Sequence, residues 1–317
     1  MLETAILEWA DLRGFRAAWG PARLLDEIRA SLESLRRAGD LDPDFVCERI
    51  PWFFDKQEPP VENPKSLIVV AVPRPTHSVA FETPSGRIDA LLPPTYVDYR
   101  RTMEAVGHSL RTEVFGDCPR LELCFTPVKS AATRLGLAKY GRNNITYVEG
   151  MGSYHELVGL LTDVELSPRP GHELQEPAPL PECETCDRCI RSCPTGAILR
   201  DRFLIRAERC LTNYNESEEP FPEDVPPSAH HCLVGCLVCQ RVCPANKGLY
   251  KVEDTGMSFG RDETEIFLQC KKECSDRESK AVRAKFEQLG LTEDATLMGR
   301  NLSALIRSRE ERARRST

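Results

Sequence analysis

CETCDRCIRSCP, residues 183–194, decides how this chain reads. Its cysteines Cys183, Cys186, Cys189 and Cys193 follow the C-x2-C-x2-C-x3-C-P spacing. In that spacing three thiolates hold one cubane 4Fe–4S cluster and the fourth reaches across to another. A second run, CLVGCLVCQRVCP at 232–244, supplies Cys236, Cys239 and Cys243 before Pro244. Crossed ligation then assigns Cys183, Cys186, Cys189 and Cys243 to one cluster. It assigns Cys193, Cys236, Cys239 and one further cysteine to the other. Two residues compete for that last position on spacing. Cys232 extends the second run but sits four residues before Cys236, one more than the pattern asks, and Cys210 lies between the runs in RAERCLTNYNE. A zinc ribbon is the bland alternative, yet zinc sites use paired C-x2-C knuckles rather than triplets ending in Cys-Pro.

Working outward, 317 residues allow two domains, and 41% hydrophobic with 29% charged residues is ordinary globular composition. The N-terminal MLETAILEWADLRGF carries acids and no sustained apolar core, so no export signal is read there. The apolar run Leu67 to Val72 is far too short to span a bilayer. Fourteen cysteines without an export signal suit a reducing cytoplasm with thiolates as ligands, and no membrane association is expected. A net charge of −7 argues against broad electrostatic binding of nucleic acid.

The spacing predicts a helix over 21–38, with Leu24, Leu25, Ile28, Leu32 and Leu35 on one face and Gly39 past its end. LIVVAV at 67–72 reads as a buried strand, 98–115 as a second amphipathic helix, and 145–148 and 157–164 as strands. Five prolines between residues 164 and 182 predict a stiff linker. FLIRA (203–207) reads as a short strand, everything after Tyr250 as helical, and RSREERARRST as a solvated, frayed end. Cys47, Cys118 and Cys124 are isolated and read as packing residues, and Cys270 with Cys274 as reduced thiols one helical turn apart.

GLAKYGRNN (136–144), GLLTD (159–163), the first cysteine run through Ile198, RCL (209–211) and GCLVCQRVCP (235–244) together resemble the epoxyqueuosine reductase family over roughly residues 65–247. The resemblance implies an α+β chain. A nitroreductase-like α/β cobalamin-binding domain would cover residues 1–165, a double 4Fe–4S bacterial-ferredoxin-like domain 166–248, and a helical tail 249–317. It favours Cys210 as the eighth ligand, because the family's fourth ligand is followed by threonine or serine and tyrosine, as Thr212 and Tyr214 follow here. It places Tyr99, Arg142, Asn143 and Asn144 near the corrin and puts the family's proton-donating aspartate at Glu122. The chain departs from the pattern at Lys139, where the family has tryptophan, and at Asn143, where it has histidine.

The expected function is therefore a reductase in which two clusters relay electrons to cobalamin, taking cobalt from Co(II) to Co(I). A ferredoxin or flavodoxin is the expected donor. The acidity of the chain and its altered pocket residues favour a small organic substrate, with transfer RNA less favoured. True epoxyqueuosine reduction in transfer RNA is one alternative. The other is an electron-transfer protein serving a corrinoid or other redox partner.

Overall fold

The computed structural model describes residues 2–54, 58–116, 120–167, 174–269, 277–291 and 295–315. The strands are β1 (Arg16–Pro21), β2 (Ser66–Pro73), β3 (Thr76–Thr83), β4 (Gly86–Leu92), β5 (Leu121–Leu123), β6 (Lys139–Tyr140), β7 (Thr146–Tyr147), β8 (His155–Thr162) and β9 (Val252–Phe259). The helices are α1 (Leu2–Leu12), α2 (Leu24–Arg37), α3 (Pro43–Arg49), α4 (Tyr99–Leu110), α5 (Val128–Arg134), α6 (Arg188–Ser192), α7 (Leu211–Asn215), α8 (Val238–Arg241), α9 (Arg261–Gln269), α10 (Arg277–Glu287) and α11 (Ala295–Arg315). They form two compact units. The first comprises residues 1–74, 100–187 and 199–206, and the second comprises 75–99, 188–198 and 207–317.

The first unit is built on an antiparallel sheet in the order β1-β2-β8-β5. Leu67 through Ala71 are wholly buried, so LIVVAV is apolar without alternation because both faces of β2 are covered. Leu67, Val69 and Ala71 share one face with Leu157 and Leu161 of β8. Leu24 and Ile28 of α2 and Ala131 and Ala132 of α5 close over that face. The helix expected over 98–115 is α4 continued by a π-type turn, Arg111–Phe115, which Gly116 ends at φ +71°.

In the second unit β9 pairs parallel to β3, which also pairs antiparallel to β4. Phe81 and Phe259 stack with centroids 4.9 Å apart, and Phe267 and Phe286 tilt against them. Leu233 and Val234, just before Cys236, join this core together with Leu302 and Leu305 of α11.

Several expectations need correcting. FLIRA is not a strand: residues 203–206 are irregular and lead into a 3-10 turn, Ala207–Arg209. The chain after Tyr250 first forms β9, an edge strand whose exposed Glu253 and Asp254 mask its pattern. The arginine-rich end is a docked helix. Arg309 donates to the Arg87 carbonyl and Arg312 to the Ser228 and His230 carbonyls. Within the expected linker, Ala178 to Leu180 run beside Tyr140: Tyr140 N–H donates to the Ala178 carbonyl and Leu180 N–H to the Tyr140 carbonyl. Pro168 and Pro170, like Cys118, Cys270 and Cys274, lie outside the described residues.

Candidate iron–sulfur and cofactor site

In the second unit, the cysteines sit at the ends of very short helices, where unpaired backbone N–H groups are available to sulfur. Cys210 stands immediately before α7. Burial raises its thiol pKa, and the polar groups of Thr212 and Asn213 at the start of that helix oppose the rise. Cys193 is close enough to Cys210 to raise it further. The Cys236 thiol is pushed up by burial and by the proximity of Cys232, Cys210 and Cys193, with the Val238 N–H opposing the rise. Cys232 is fully buried and pushed up to about 12 by that burial, while the nearby Leu237 N–H donates to His231 Nε2 at 3.0 Å. Cys232 also forms an isolated parallel bridge to Leu91 of β4. Cys239 lies in α8, and Cys243 follows that helix and heads the 3-10 turn Pro244–Asn246.

Thiols in apolar surroundings with N–H groups aimed at them suit cubane clusters, whose sulfurs take backbone hydrogen bonds. Among the described residues no three His, Cys, Asp or Glu side chains converge on a single metal ion. A cubane spreads its four thiolates more widely than one ion does.

In the first unit, Cys183 ends the 3-10 turn Pro181–Cys183, Cys186 is half-buried, and GRNN forms the connection between β6 and β7. Gly141 N–H donates to the Ile145 carbonyl and Asn144 N–H to the Gly141 carbonyl. Asn144 takes φ +58°, the left-handed position of a three-residue hairpin loop. No side chain fits at Gly141: a Cβ there would stand 2.5 Å from Asn143 Oδ1 and 2.5 Å from Tyr147 Cε2. Asn143 is buried, and its amide is spent on the loop, donating to the Tyr147 hydroxyl at 3.0 Å and accepting from Ile145 N–H at 3.3 Å.

Arg142, at the loop's leading corner, faces the cysteine run. Its N–H donates to Cys183 Sγ at 3.4 Å, and its guanidinium donates to the Cys183 and Arg200 carbonyls. Its Nε is buried with no hydrogen-bond partner among the described residues. That orphaned donor fits a bound group bearing acceptors against this loop, as cobalamin's amide side chains would be. Asn144 is half-buried beside it, and its carbonyl accepts from Lys129 Nζ at 3.5 Å. Tyr99 falls in the second unit, half-buried at the first turn of α4.

Glu122 lies on the edge strand β5, half-exposed and ion-paired with Arg111 at 2.9 Å. A second acid of the first unit went unremarked in the sequence. Glu156 on β8 is 1% exposed, and burial pushes its carboxyl up to about 8 against the pull of Arg74 at 3.6 Å. Its signal was present: a carboxylate inside the apolar run HELVGLL. Its neighbour His155 is held neutral by burial, down to about 4, between the Thr146 hydroxyl and the Gly152 carbonyl.

Residues 182–246 match the family of 4Fe-4S double cluster binding domains. The epoxyqueuosine reductase of Cyclobacterium marinum is 33% identical over 117 residues, 37% of this chain and 36% of that protein. The Burkholderia pseudomallei enzyme is 29% identical over 223 residues, 66% of this chain and 48% of its own length. The chain thus spans about a third of the length of the first of these relatives and about half of the second. Among solved structures, epoxyqueuosine reductase from Streptococcus thermophilus superimposes with a TM-score of 0.60 at 20% identity, over 96% of this chain and 81% of that one. An epoxyqueuosine reductase crystallised with an epoxyqueuosine-modified tRNA-Tyr stem loop gives 0.63 at 19%, over 96% and 80%. The mixed α and β fold is therefore that of these structures, and no described helix is long and apolar enough to cross a membrane. The cysteine runs, the fold and the relatives agree: the chain is an epoxyqueuosine-reductase-like protein with a double 4Fe–4S cluster domain.

Proposed function

We propose that this protein is a reductase of the epoxyqueuosine reductase type, with two 4Fe–4S clusters feeding electrons to a cobalamin held against the GRNN loop. The observation that carries the reading is the 3.4 Å contact from Arg142 N–H to Cys183 Sγ, because it joins the loop expected to hold the corrin to a thiol expected to hold a cluster. Electrons would then have a short path. Cobalamin, when bound, supplies a cobalt centre that can be reduced to a strong nucleophile. This chain's residues would orient it through Arg142 and Asn144, with Lys139 drawing an anionic substrate to the exposed side. Cys193, Cys210, Cys236 and Cys239 would hold one cluster, and Cys183, Cys186, Cys189 and Cys243 the other. Cys210 is preferred to Cys232 because Thr212 and Tyr214 follow it as in the resembled family, and because Cys232 is wholly buried and bridged to Leu91 of β4.

For the substrate, the relatives' names and the solved complex with a modified stem loop support epoxyqueuosine carried in transfer RNA over the small molecule expected from net charge. That expectation gives way, because a global charge of −7 says little about one local surface. The test is anaerobically reconstituted, cobalamin-supplemented protein offered an epoxyqueuosine-containing stem loop and, separately, the free nucleoside. Conversion of the stem loop with corrinoid retained through gel filtration is expected. Conversion of the nucleoside alone would restore the small-substrate reading, and loss of corrinoid would leave an electron-transfer protein.

A further inference from the structure

We infer that a basic cleft on the second unit is the port through which an acidic one-electron carrier protein delivers electrons to the cluster held by Cys243. The cleft, about 850 Å³, is lined by Arg188, Arg191, Arg241 and Lys247, with Ser192, Val242, Cys243 and Pro244 between them. All four cations are exposed, and no carboxylate is among the lining residues. In a chain of net charge −7 that is a local inversion of sign, and it sits where two cysteine-bearing helices pack together. α6 carries Cys189 and α8 carries Cys239, while Cys243 itself lines the cleft. Arg241 is further organised by stacking over Tyr250, 5.2 Å from the ring centroid.

The cysteine in the wall decides between two anionic partners. A nucleic acid needs cations but has no use for a redox centre at their focus. An electron carrier needs both, because its own cofactor must approach the acceptor closely while complementary charge orients the encounter. The step is a single electron leaving the reduced carrier and entering the cluster, with no proton or group transferred. The inference rests on the double-cluster reading and not on cobalamin or the substrate.

The experiment uses the reconstituted full chain and a reduced acidic ferredoxin, following cluster bleaching by stopped flow and carrier affinity by titration. For Arg188→Glu with Lys247→Glu we expect carrier affinity and the second-order reduction rate to fall at least tenfold at low salt, with the salt dependence flattened. Iron content, reduction by methyl viologen radical and stem-loop affinity should stay as in the unaltered protein. An unchanged ferredoxin rate, or a fall in stem-loop affinity with that rate intact, overturns the inference and in the second case assigns the cleft to RNA. If the double variant does not fold, the unaltered protein still decides: a ferredoxin rate insensitive to salt between low and physiological strength rules the port out. Loss of iron from the unaltered protein would instead count against the cluster reading itself.

Discussion

Arg142 holds Cys183 from two directions: its backbone N–H meets the sulfur at 3.4 Å while its guanidinium takes the same residue's carbonyl. The first cysteine of the run is thereby fixed to a hairpin loop more than forty positions earlier, and changes in the loop must be felt at the thiol. N–H donors to cluster sulfur raise reduction potentials. On the proposed ligation, the loop would tune the cluster at Cys183 through that N–H.

Gly141→Ala tests that coupling. The added methyl has no room beside Asn143 and Tyr147, so the loop must open, and we expect a stability loss of roughly 1–3 kcal/mol. The cluster's electron paramagnetic resonance signal should change and corrinoid retention should drop. A variant as stable as the parent, with unaltered spectra, would show that the loop is not a rigid brace.

Cys210→Ala should remove about four of about eight irons, and Cys232→Ala should leave the count unchanged. The reverse pattern on anaerobic iron and sulfide analysis would move the eighth ligand to Cys232.

Glu156 makes stability depend on pH. Its carboxyl is raised from 4.5 to about 8 in the folded protein, so between these values the unfolded chain has lost a proton that the folded chain keeps. Stability from this group is complete below pH 4.5 and declines as pH rises to about 8. Glu156→Gln should flatten that decline and stabilise the protein at pH 7 by on the order of 1–3 kcal/mol. Chemical denaturation at pH 5 and pH 8 measures it, and parallel losses in parent and variant would contradict the assignment.

Glu122 and Glu156 are rival candidates for the proposed proton donor. Glu122→Gln should lower turnover by at least ~10² with iron and corrinoid retained, the usual scale for losing a general acid. Undiminished turnover would pass the role to Glu156, whose burial already keeps it protonated near neutral pH.

What could be read in advance was local. The cysteine runs carry their chemistry in spacing, α2 in its 3.6-residue stripe, and β2 in an unbroken apolar run ending at Pro73. The β3–β4 hairpin drew no expectation from the sequence, and its partner β9 lies far along the chain and shows mostly polar side chains. α11 runs on through the end expected to be frayed, and nothing in the spacing of its arginines reveals the carbonyls they reach. Glu156 shows the same limit: its position in an apolar strand was visible, but the burial that keeps it neutral comes from the fold around it.

The second unit gathers three separated stretches around one core, and Leu302 and Leu305 of the last helix close it. Buried Asn301 binds that helix to the carbonyls of Asn215 and Leu233, beside the cysteines. During synthesis, Cys193 therefore leaves the ribosome about a hundred residues before its scaffold can form, on the order of ten seconds at ordinary elongation rates. For that interval its thiol stands unsheltered. Metal delivery to this unit must wait until Leu302 and Leu305 have been made, and a ribosome that stalls before them leaves both cysteine runs with no scaffold for the iron.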